Sequence, residues 1–300
     1  GPGITDMKGG DMIIITAIKI LKDQGLLDNL NIKVVMTGDE EKSGRPLSKS
    51  KELLIESGKW ADIALGFEDG DSNIKTAVIA RRGASGWKLE VKGKPAHSSQ
   101  IFREDIGFGA VYEMARILNE FRVQLSQEHN LTFNPGNLMA GTTVDFDSKS
   151  STGQVFGKDN VIAKRAMATG DIRAVSPSQE ANTRKLMMKI ASENLPHTSA
   201  EIEFYQGYPP MAPTDANKKL LAIYSSVSED LGYGEVVAVD PRKAGAADIS
   251  FVAEHVDMAI DGLGLMGAGG HTKDEVADMT SFKKNIQKAA ILMHRLSKIK

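Results

Sequence analysis

The sequence contains no cysteine, and this single absence excludes several kinds of chemistry. Disulfide bridges, zinc sites built from thiolates and cysteine nucleophiles are all ruled out, so any metal ion must be bound by His, Asp or Glu. The lack of cysteine slightly favours a periplasmic or secreted location over the cytoplasm. Many cytosolic proteins also have few cysteines, so the compartment stays open.

A long apolar run and an excess of charge of one sign are also missing. No stretch of about 20 apolar residues is present, so the sequence offers no membrane span. The formal net charge of −2 gives no reason to expect nucleic acid or a membrane surface as a partner. Hydrophobic residues make up 41% of the 300 positions and charged residues 25%, which is typical of a globular protein.

The hydrophobic pattern of the first 82 residues alternates between helix and strand. It predicts helices over 9–23 and 51–57, and short strands over 32–36 and 63–67. Strands that alternate with helices favour a mostly parallel sheet covered on both faces. The same pattern resumes over 206–300, so the two segments are predicted to form one α/β domain.

The segment between them has a different pattern. Residues 87–91 alternate apolar and polar side chains, as expected of a strand with one face in solvent. Two helices, predicted over 107–121 and 178–193, lie among several such strands. This pattern predicts a small α+β sandwich over 83–205, inserted into the α/β domain.

Acidic side chains follow three apolar stretches of the predicted α/β domain. They are Asp6, the cluster Asp39–Glu41, and Glu68 with its neighbour Asp69. Ligands of open parallel sheets bind beyond the carboxyl ends of the strands, so these clusters are expected to share one crevice. Each cluster taken alone is better explained as a solvated turn, but three in one α/β domain favour a shared site.

Glu40 and Glu41 are adjacent carboxylates that could take different chemical roles. Adjacent carboxylates point in different directions, so one can bind a metal ion while the other takes a proton from metal-bound water. His271 follows the glycine-rich loop 262–270, whose backbone permits close approach to a metal or substrate. Carboxylates with an imidazole and no thiolate suit catalytic Zn²⁺, with Mn²⁺ or Co²⁺ as alternatives.

Several motifs occur in the order found in one enzyme family. They are GPGITDMKGG at 1–10, TGDEE at 37–41, GFE at 66–68, KGKPAH at 92–97, NVIA at 160–163, GDIR at 170–173, AGAAD at 244–248 and GHT at 270–272. The chain resembles the M20 (glutamate carboxypeptidase-like) metallopeptidases over essentially its whole length. The resemblance implies a zinc-exopeptidase-like catalytic domain, divided into 1–82 and 206–300, and a lid or dimerisation domain over 83–205.

The resemblance also implies two metal ions per subunit in the full-length protein. Asp6 would be the carboxylate shared by both ions, and Glu41 and His271 would complete one site. Glu68 would belong to the second site. Glu40 would be the general base that acts on the bridging water.

Further residues receive roles from the same resemblance. His97 would stabilise the oxyanion, in the family often from the partner subunit of a homodimer formed through the lid domain. Arg173 and Asn160 would hold a substrate carboxylate, with Gly245 of the late loop in the same substrate site. Arg173 is equally well explained by a structural pair with Asp171. A cis peptide bond is expected after Asp6, while Asp248 and Glu275 are interpreted as structural or supporting residues.

One family element is not found in the sequence. The second metal of M20 enzymes also needs a histidine from a His-x-Asp element before the Gly1-Pro-Gly loop, so we expect the N-terminal part of the catalytic domain to lie upstream. The predicted function is cleavage of an amide bond next to a free carboxylate, in a small peptide or N-acyl amino acid. Two alternatives stay open: an M20-type aminoacylase or deacylase, and a catalytically incomplete dimerising or binding module.

Overall fold

The structure is a computed structural model that describes residues 1–299. The chain forms two compact units: the first contains Gly1–Arg82 and the residues from Tyr208 onward, and the second contains Gly83–Gly207. Helices and strands occur in both units, which confirms the mixed α/β class predicted from the sequence. Within the described residues, no helix has the length and apolar character needed to cross a membrane.

The first segment of the first unit begins with a π-helical turn at Ile4–Lys8. Five elements follow: α1 (Gly9–Asp23), α2 (Leu47–Ser50), α3 (Glu52–Trp60), β1 (Ile63–Leu65) and β2 (Thr76–Ala77). Helix α1 buries Ile13, Ala17 and Leu21, which recur every four residues and therefore form one apolar stripe. The chain leaves α1 through Gly25, whose positive φ of 66° suits a residue without a Cβ.

The second unit is an antiparallel sheet packed against two helices. Its elements are β3 (Ala84–Gly93), α4 (Gly109–Leu125), β4 (Thr132–Gly141), β5 (Thr143–Asp147), β6 (Thr152–Phe156), β7 (Arg165–Arg173), α5 (Pro177–Ser192) and β8 (Thr198–Tyr208), whose last residue, Tyr208, belongs to the first unit. The sheet order is β4-β7-β3-β8, and β7 runs antiparallel to both β3 and β4. Every second residue of β3 is buried, as expected of a strand with one covered face.

The chain then returns to the first unit. It adds α6 (Asp215–Asp230), β9 (Val237–Ala238), β10 (Met258–Ile260), β11 (Gly267–Ala268), β12 (Val276–Ala277) and α7 (Met279–Leu296). The pairs β1–β10 and β2–β9 are parallel, and β11–β12 is antiparallel. Helices α1, α6 and α7 contribute to one apolar core. Because β1 and β10 run parallel, the residues that follow the two strands lie at the same edge of the pair.

One predicted element is wrong. Residues 32–36 form no strand, although their apolar character is that of one. No strand among residues 1–299 provides a hydrogen-bonding partner for this segment. Its alternate side chains Ile32, Val34 and Met36 are exposed, so neither burial nor a ladder of hydrogen bonds stabilises a strand here.

Candidate metal centre

Three predicted ligands lie together in the first unit. Nε2 of His271 is 2.8 Å from Oδ2 of Asp6 and 3.5 Å from Oε1 of Glu41. One donor atom from each residue lies within 4.8 Å of the other two. The three residues come from the turn before α1, the loop that precedes α2 and the loop between β11 and β12. The fold therefore brings together donors that are up to 265 positions apart in the chain.

Glu275 fixes the backbone that carries Asp6. Its buried carboxylate accepts hydrogen bonds from the amides of Gly3, Thr5 and Asp6 and from the Thr5 hydroxyl, with 2.7 Å to both Thr5 donors. Burial alone would raise the pKa of Glu275, but these hydrogen bonds lower it to about 2. The Asp6–Met7 peptide bond is cis, as predicted. Glu275 therefore supports the ligand segment, as its interpretation from the sequence implied.

His271 is presented by an unusual backbone. Its φ of 61° lies in the left-handed region, which few non-glycine residues adopt outside turns and functional sites. Its side chain is 70% exposed, so solvent and a ligand can both reach Nε2. The charge of Glu41 is the largest cause that raises the pKa of His271, and Asp6 adds to it while burial opposes. The imidazole therefore lies in a negative field that favours a cation.

Glu40 lies beside the ligands without joining them. Burial raises its pKa to about 7, and the charges of Asp248, Glu41 and Asp6 contribute in the same direction. A general base is most effective when its pKa is near the working pH. Glu40 therefore has the chemical character that its predicted role requires.

Glu68 lies outside the group of three donors within residues 1–299. Its amide donates to Oδ1 of Asp261 at 3.3 Å, and Asp261 is paired with the buried guanidinium of Arg81 at 2.7 Å. Burial, followed by the negative charge of Asp261, raises the pKa of Glu68 well above its ordinary range. The role of Glu68 in a second metal site stays a prediction.

Of the residues predicted to contact substrate, three belong to the second unit. The side chain of His97 accepts a hydrogen bond at Nδ1 from the Ser99 amide at 3.3 Å, so a neutral ring carries its proton on Nε2. Arg173 pairs with Asp171 at 3.0 Å, which is the structural pairing considered as an alternative. Asn160 is exposed, and its carbonyl oxygen accepts from the Ser98 amide at 2.9 Å. The substrate roles of His97, Arg173 and Asn160 remain predictions.

Gly245, the remaining predicted substrate residue, lies in the first unit. Its carbonyl oxygen accepts a hydrogen bond from Arg81 at 3.0 Å. A Cβ added at Gly245 would meet no atom within 4 Å, so open space borders this position. This space is compatible with the predicted substrate role but does not test it.

Sequence reasoning missed Lys51 and Tyr208, which contact the acidic loop. Lys51 is buried and forms ion pairs with Asp39 and Asp248, and Tyr208 lies against the same group. No motif marks either residue. Lys51 directly precedes the amphipathic helix α3, where a lysine in the sequence normally indicates an exposed position.

The donor set fits a divalent transition metal. Two carboxylates and one imidazole converge at distances that a single ion can span, and no thiolate is available. Such nitrogen and oxygen donors suit Zn²⁺, and Co²⁺ or Mn²⁺ accept the same types. The negative field described above also favours a cation at this point.

Comparisons with known proteins agree with this geometry. The family "Peptidase family M20/M25/M40" matches residues 1–296. Carboxypeptidase G2 from Pseudomonas sp. (strain RS-16) is 26% identical over 295 residues, covering 98% of this chain and 66% of that protein. A probable succinyl-diaminopimelate desuccinylase from Staphylococcus aureus (strain MRSA252) is 24% identical over 307 residues, covering 95% of this chain and 72% of that one. The chain thus spans about two thirds of the length of these relatives.

Solved structures share the fold. Aminopeptidase PepT from Bacillus cereus ATCC 10987 has a TM-score of 0.70 at 18% identity, covering 98% of this chain and 71% of that one. The YXEP protein of Bacillus subtilis, described as a dinuclear metal binding peptidase from the M20 family, has a TM-score of 0.64 at 16% identity, covering 95% and 70%. With the motifs in order and a family match over almost the whole chain, this protein belongs to peptidase family M20/M25/M40.

Proposed function

We propose that this chain carries the catalytic centre of a metal-dependent hydrolase of exopeptidase type. It would cleave an amide bond next to a free carboxylate, in a small peptide or an N-acyl amino acid. The observation that carries the proposal is the convergence of Asp6, Glu41 and His271 beside a second carboxylate, Glu40, whose pKa is raised to about 7.

Asp6, Glu41 and His271 would hold a divalent ion, with Zn²⁺ favoured and Co²⁺ or Mn²⁺ as alternatives. Such an ion, when bound, polarises the scissile carbonyl and makes water a stronger nucleophile at neutral pH. Glu68 is proposed as a ligand of a second ion. Its raised pKa is what an acidic side chain shows when burial and a neighbouring carboxylate disfavour its charge.

Glu40 would act as the general base. Its carboxylate would take a proton from the attacking water and deliver it to the leaving amine nitrogen. His97 would donate from Nε2 to the oxygen that gains negative charge, a role that its hydrogen bond at Nδ1 leaves open in the neutral ring. In this proposal Arg173 and Asn160 recognise the substrate carboxylate, and Arg173 would exchange its partner Asp171 for the substrate.

The test combines metal binding with hydrolysis. Zn²⁺ binding is measured by calorimetry, and hydrolysis is measured with N-acyl glutamates and dipeptides. Glu40→Gln is expected to retain the metal and to lower turnover by about 10²–10⁴-fold, since the base is removed while the ligands stay. Glu56→Gln on the exposed face of α3 is the matched control and should leave both quantities unchanged.

Failure of the wild-type protein to bind Zn²⁺ and to hydrolyse these substrates would overturn the proposal. The alternative would then be a dimerising or binding module, and a dimer in sedimentation of the same inactive sample, which binds no Zn²⁺, would support it. A homodimer through the second unit is the expected assembly in either case, and a monomer at micromolar concentration would contradict that expectation.

The similarity to probable succinyl-diaminopimelate desuccinylases supports a second candidate, a deacylase of N-acyl amino acids. A comparison of N-succinyl and N-acetyl amino acids with dipeptides separates this deacylase from a hydrolase that prefers peptides. A ratio of kcat/KM that favours these compounds over dipeptides by tenfold, which corresponds to about 1.4 kcal/mol, would identify the deacylase.

A further inference from the structure

Lys51 is a buried ammonium next to the loop that carries Glu40 and Glu41. It lies between α2 and α3, and its side chain has no exposed surface. Burying a charge is costly unless oppositely charged groups surround it. Nζ of Lys51 is 2.8 Å from Oδ1 of Asp39 and 3.0 Å from Oδ1 of Asp248. The ammonium therefore links the acidic loop to the segment at residue 248.

Tyr208 completes this group. Its ring centroid is 5.6 Å from Nζ of Lys51, and its hydroxyl is 3.1 Å from both Oδ1 of Asp248 and the carbonyl oxygen of Glu40. An edge-on contact with Phe251 at 4.8 Å holds the ring in a small apolar cluster. We call Lys51, Asp39, Asp248 and Tyr208 the Lys51 brace.

The brace and Ser43 contact the peptide groups on both sides of Glu40. Ser43 donates to the carbonyl oxygen of Asp39 at 2.9 Å, and Nζ of Lys51 is 3.4 Å from the same atom. The Tyr208 hydroxyl lies 3.1 Å from the carbonyl oxygen of Glu40. This oxygen, Oδ1 of Asp248 at 3.1 Å and Oγ of Ser43 at 2.7 Å share the single proton of that hydroxyl. Because each peptide group is planar, holding a carbonyl on either side of the Glu40 Cα restrains its two backbone dihedrals. The direction of the Glu40 side chain and the position of Glu41 follow from those dihedrals.

The positive charge of Lys51 also affects the electrostatic energy of the acidic loop. Asp39, Glu40 and Glu41 place three carboxylates in succession, and their mutual repulsion favours other loop conformations. Burial alone would lower the pKa of Lys51, but its hydrogen bonds with Asp39 and Asp248 raise it, so the ammonium stays charged. One fixed positive charge therefore offsets part of the repulsion where the loop must be held.

We propose that Lys51 is a positioning residue, which acts with Asp248 and Tyr208 to hold Glu40 in the orientation for proton transfer and Glu41 in the orientation for metal binding. This inference rests on the function proposed above for the same centre. Lys51 itself touches neither substrate nor metal in this proposal. Its effect passes through the backbone of residues 39–41.

The test uses two variants and two controls. Lys51→Met removes the charge and keeps the length, and Tyr208→Phe removes only the hydroxyl. Lys59→Met replaces an exposed lysine of α3, and Leu292→Ala opens a cavity in the apolar core of α7. Leu292→Ala lowers stability without touching the acidic loop, so it separates loop positioning from general destabilisation.

Two measurements are made on each protein. The first is the Zn²⁺ dissociation constant by calorimetry. The second is the rate of tryptic cleavage after Lys42, inside the loop, in metal-free protein, followed by mass spectrometry. The second measurement reports local opening of the loop and needs neither metal nor activity.

Lys51→Met is expected to weaken Zn²⁺ binding by about 10–100-fold, the range seen when groups that orient metal ligands are removed. Cleavage after Lys42 should accelerate at least about tenfold. Tyr208→Phe should shift both quantities in the same direction by about two- to tenfold, as expected for one hydrogen bond. Lys59→Met should change neither, and Leu292→Ala should leave Zn²⁺ affinity unchanged.

Unchanged cleavage and unchanged Zn²⁺ affinity in the Tyr208→Phe protein, and in Lys51→Met if it folds, would overturn the proposal. If Leu292→Ala weakens Zn²⁺ binding as much as Lys51→Met does, the effect belongs to stability and the positioning role is refuted. A wild-type protein that binds no Zn²⁺ overturns the proposed function instead. The cleavage rate then still decides whether the brace holds the loop.

Discussion

Replacing Lys288 with methionine is predicted to stabilise the protein at neutral pH. Lys288 lies on α7 with 1% of its surface exposed, and its ammonium donates to the carbonyl oxygen of Ile74 at 2.7 Å. The ring centroid of Tyr224 lies 4.6 Å from Nζ of Lys288. Among residues 1–299 no carboxylate forms an ion pair with it. Burial, with a smaller contribution from Lys284, lowers the pKa of Lys288 to about 8.

The size of the effect follows from this pKa. The difference between the ordinary value of 10.5 and about 8 in the folded protein corresponds to about 3 kcal/mol. Below pH 8 both states bind the proton, so the folded state bears the full cost of the buried charge. Between about pH 8 and 10.5 the folded protein releases the proton first, so the free energy of unfolding rises with pH. Above that range the cost has disappeared.

Lys288→Met keeps the length of the side chain and removes the charge. Loss of the hydrogen bond to Ile74 costs about 1–2 kcal/mol, so the variant should be more stable than wild type by about 1–2 kcal/mol at pH 7. Towards pH 10.5 wild type should gain about 3 kcal/mol relative to the variant, which reverses the order. Urea unfolding followed by circular dichroism measures both differences.

Lys218→Met, at an exposed position of α6, is the control and should follow the wild-type pH profile. Parallel profiles for wild type and Lys288→Met would refute the reasoning. They would mean that the buried ammonium keeps its ordinary pKa and that the fold bears no electrostatic cost at this position.

Two further substitutions test contacts that stabilise the first and the second unit. Glu275→Gln should lower the free energy of unfolding by about 2–4 kcal/mol in urea titrations, because an uncharged acceptor replaces the carboxylate that holds residues 3–6. A loss below about 0.5 kcal/mol would contradict the supporting role assigned to Glu275. Trp87→Ala should cost about 3–5 kcal/mol, because the ring is buried and meets Phe121 edge-on at 6.0 Å. A change confined to the first unit, as followed by hydrogen exchange, would contradict this expectation.

Much of the secondary structure could be predicted because its cause is local. The apolar stripe of α1 and the alternation in β3 depend only on residues within a few positions of each other, and both predictions are confirmed. The strand expected over 32–36 failed for the opposite reason. A strand exists through its hydrogen-bonding neighbours, and the pattern of one segment carries no information about whether a neighbour is present.

The candidate site likewise contains residues that the sequence predicts and residues that only the fold brings together. The acidic residues that follow apolar stretches, together with the family resemblance, predict Asp6, Glu41 and His271 as ligands, and the fold brings their donor atoms together. Lys51 could not be found in this way. Its partner Asp248 lies 197 positions further along the chain, and only the fold determines that the two side chains meet.

Acidic residues of similar appearance in the sequence fall into two classes in the structure. Those of the first class have fixed partners: Asp39 and Asp248 pair with Lys51, Asp261 pairs with Arg81, and Glu275 accepts backbone amides. Such carboxylates are already compensated, so a metal ion would gain little from them. Their task is to hold neighbouring segments.

The second class is Asp6, Glu40, Glu41 and Glu68. Within residues 1–299 none of these four forms an ion pair with a lysine or arginine. Burial, with a contribution from neighbouring carboxylates, raises the pKa of Glu40 and of Glu68, so the charged forms of these two side chains are disfavoured. A bound divalent cation would stabilise these charged forms. The division between acids with lysine, arginine or backbone-amide partners and acids without a lysine or arginine partner is therefore a property of the fold, since both classes use the same two amino acids.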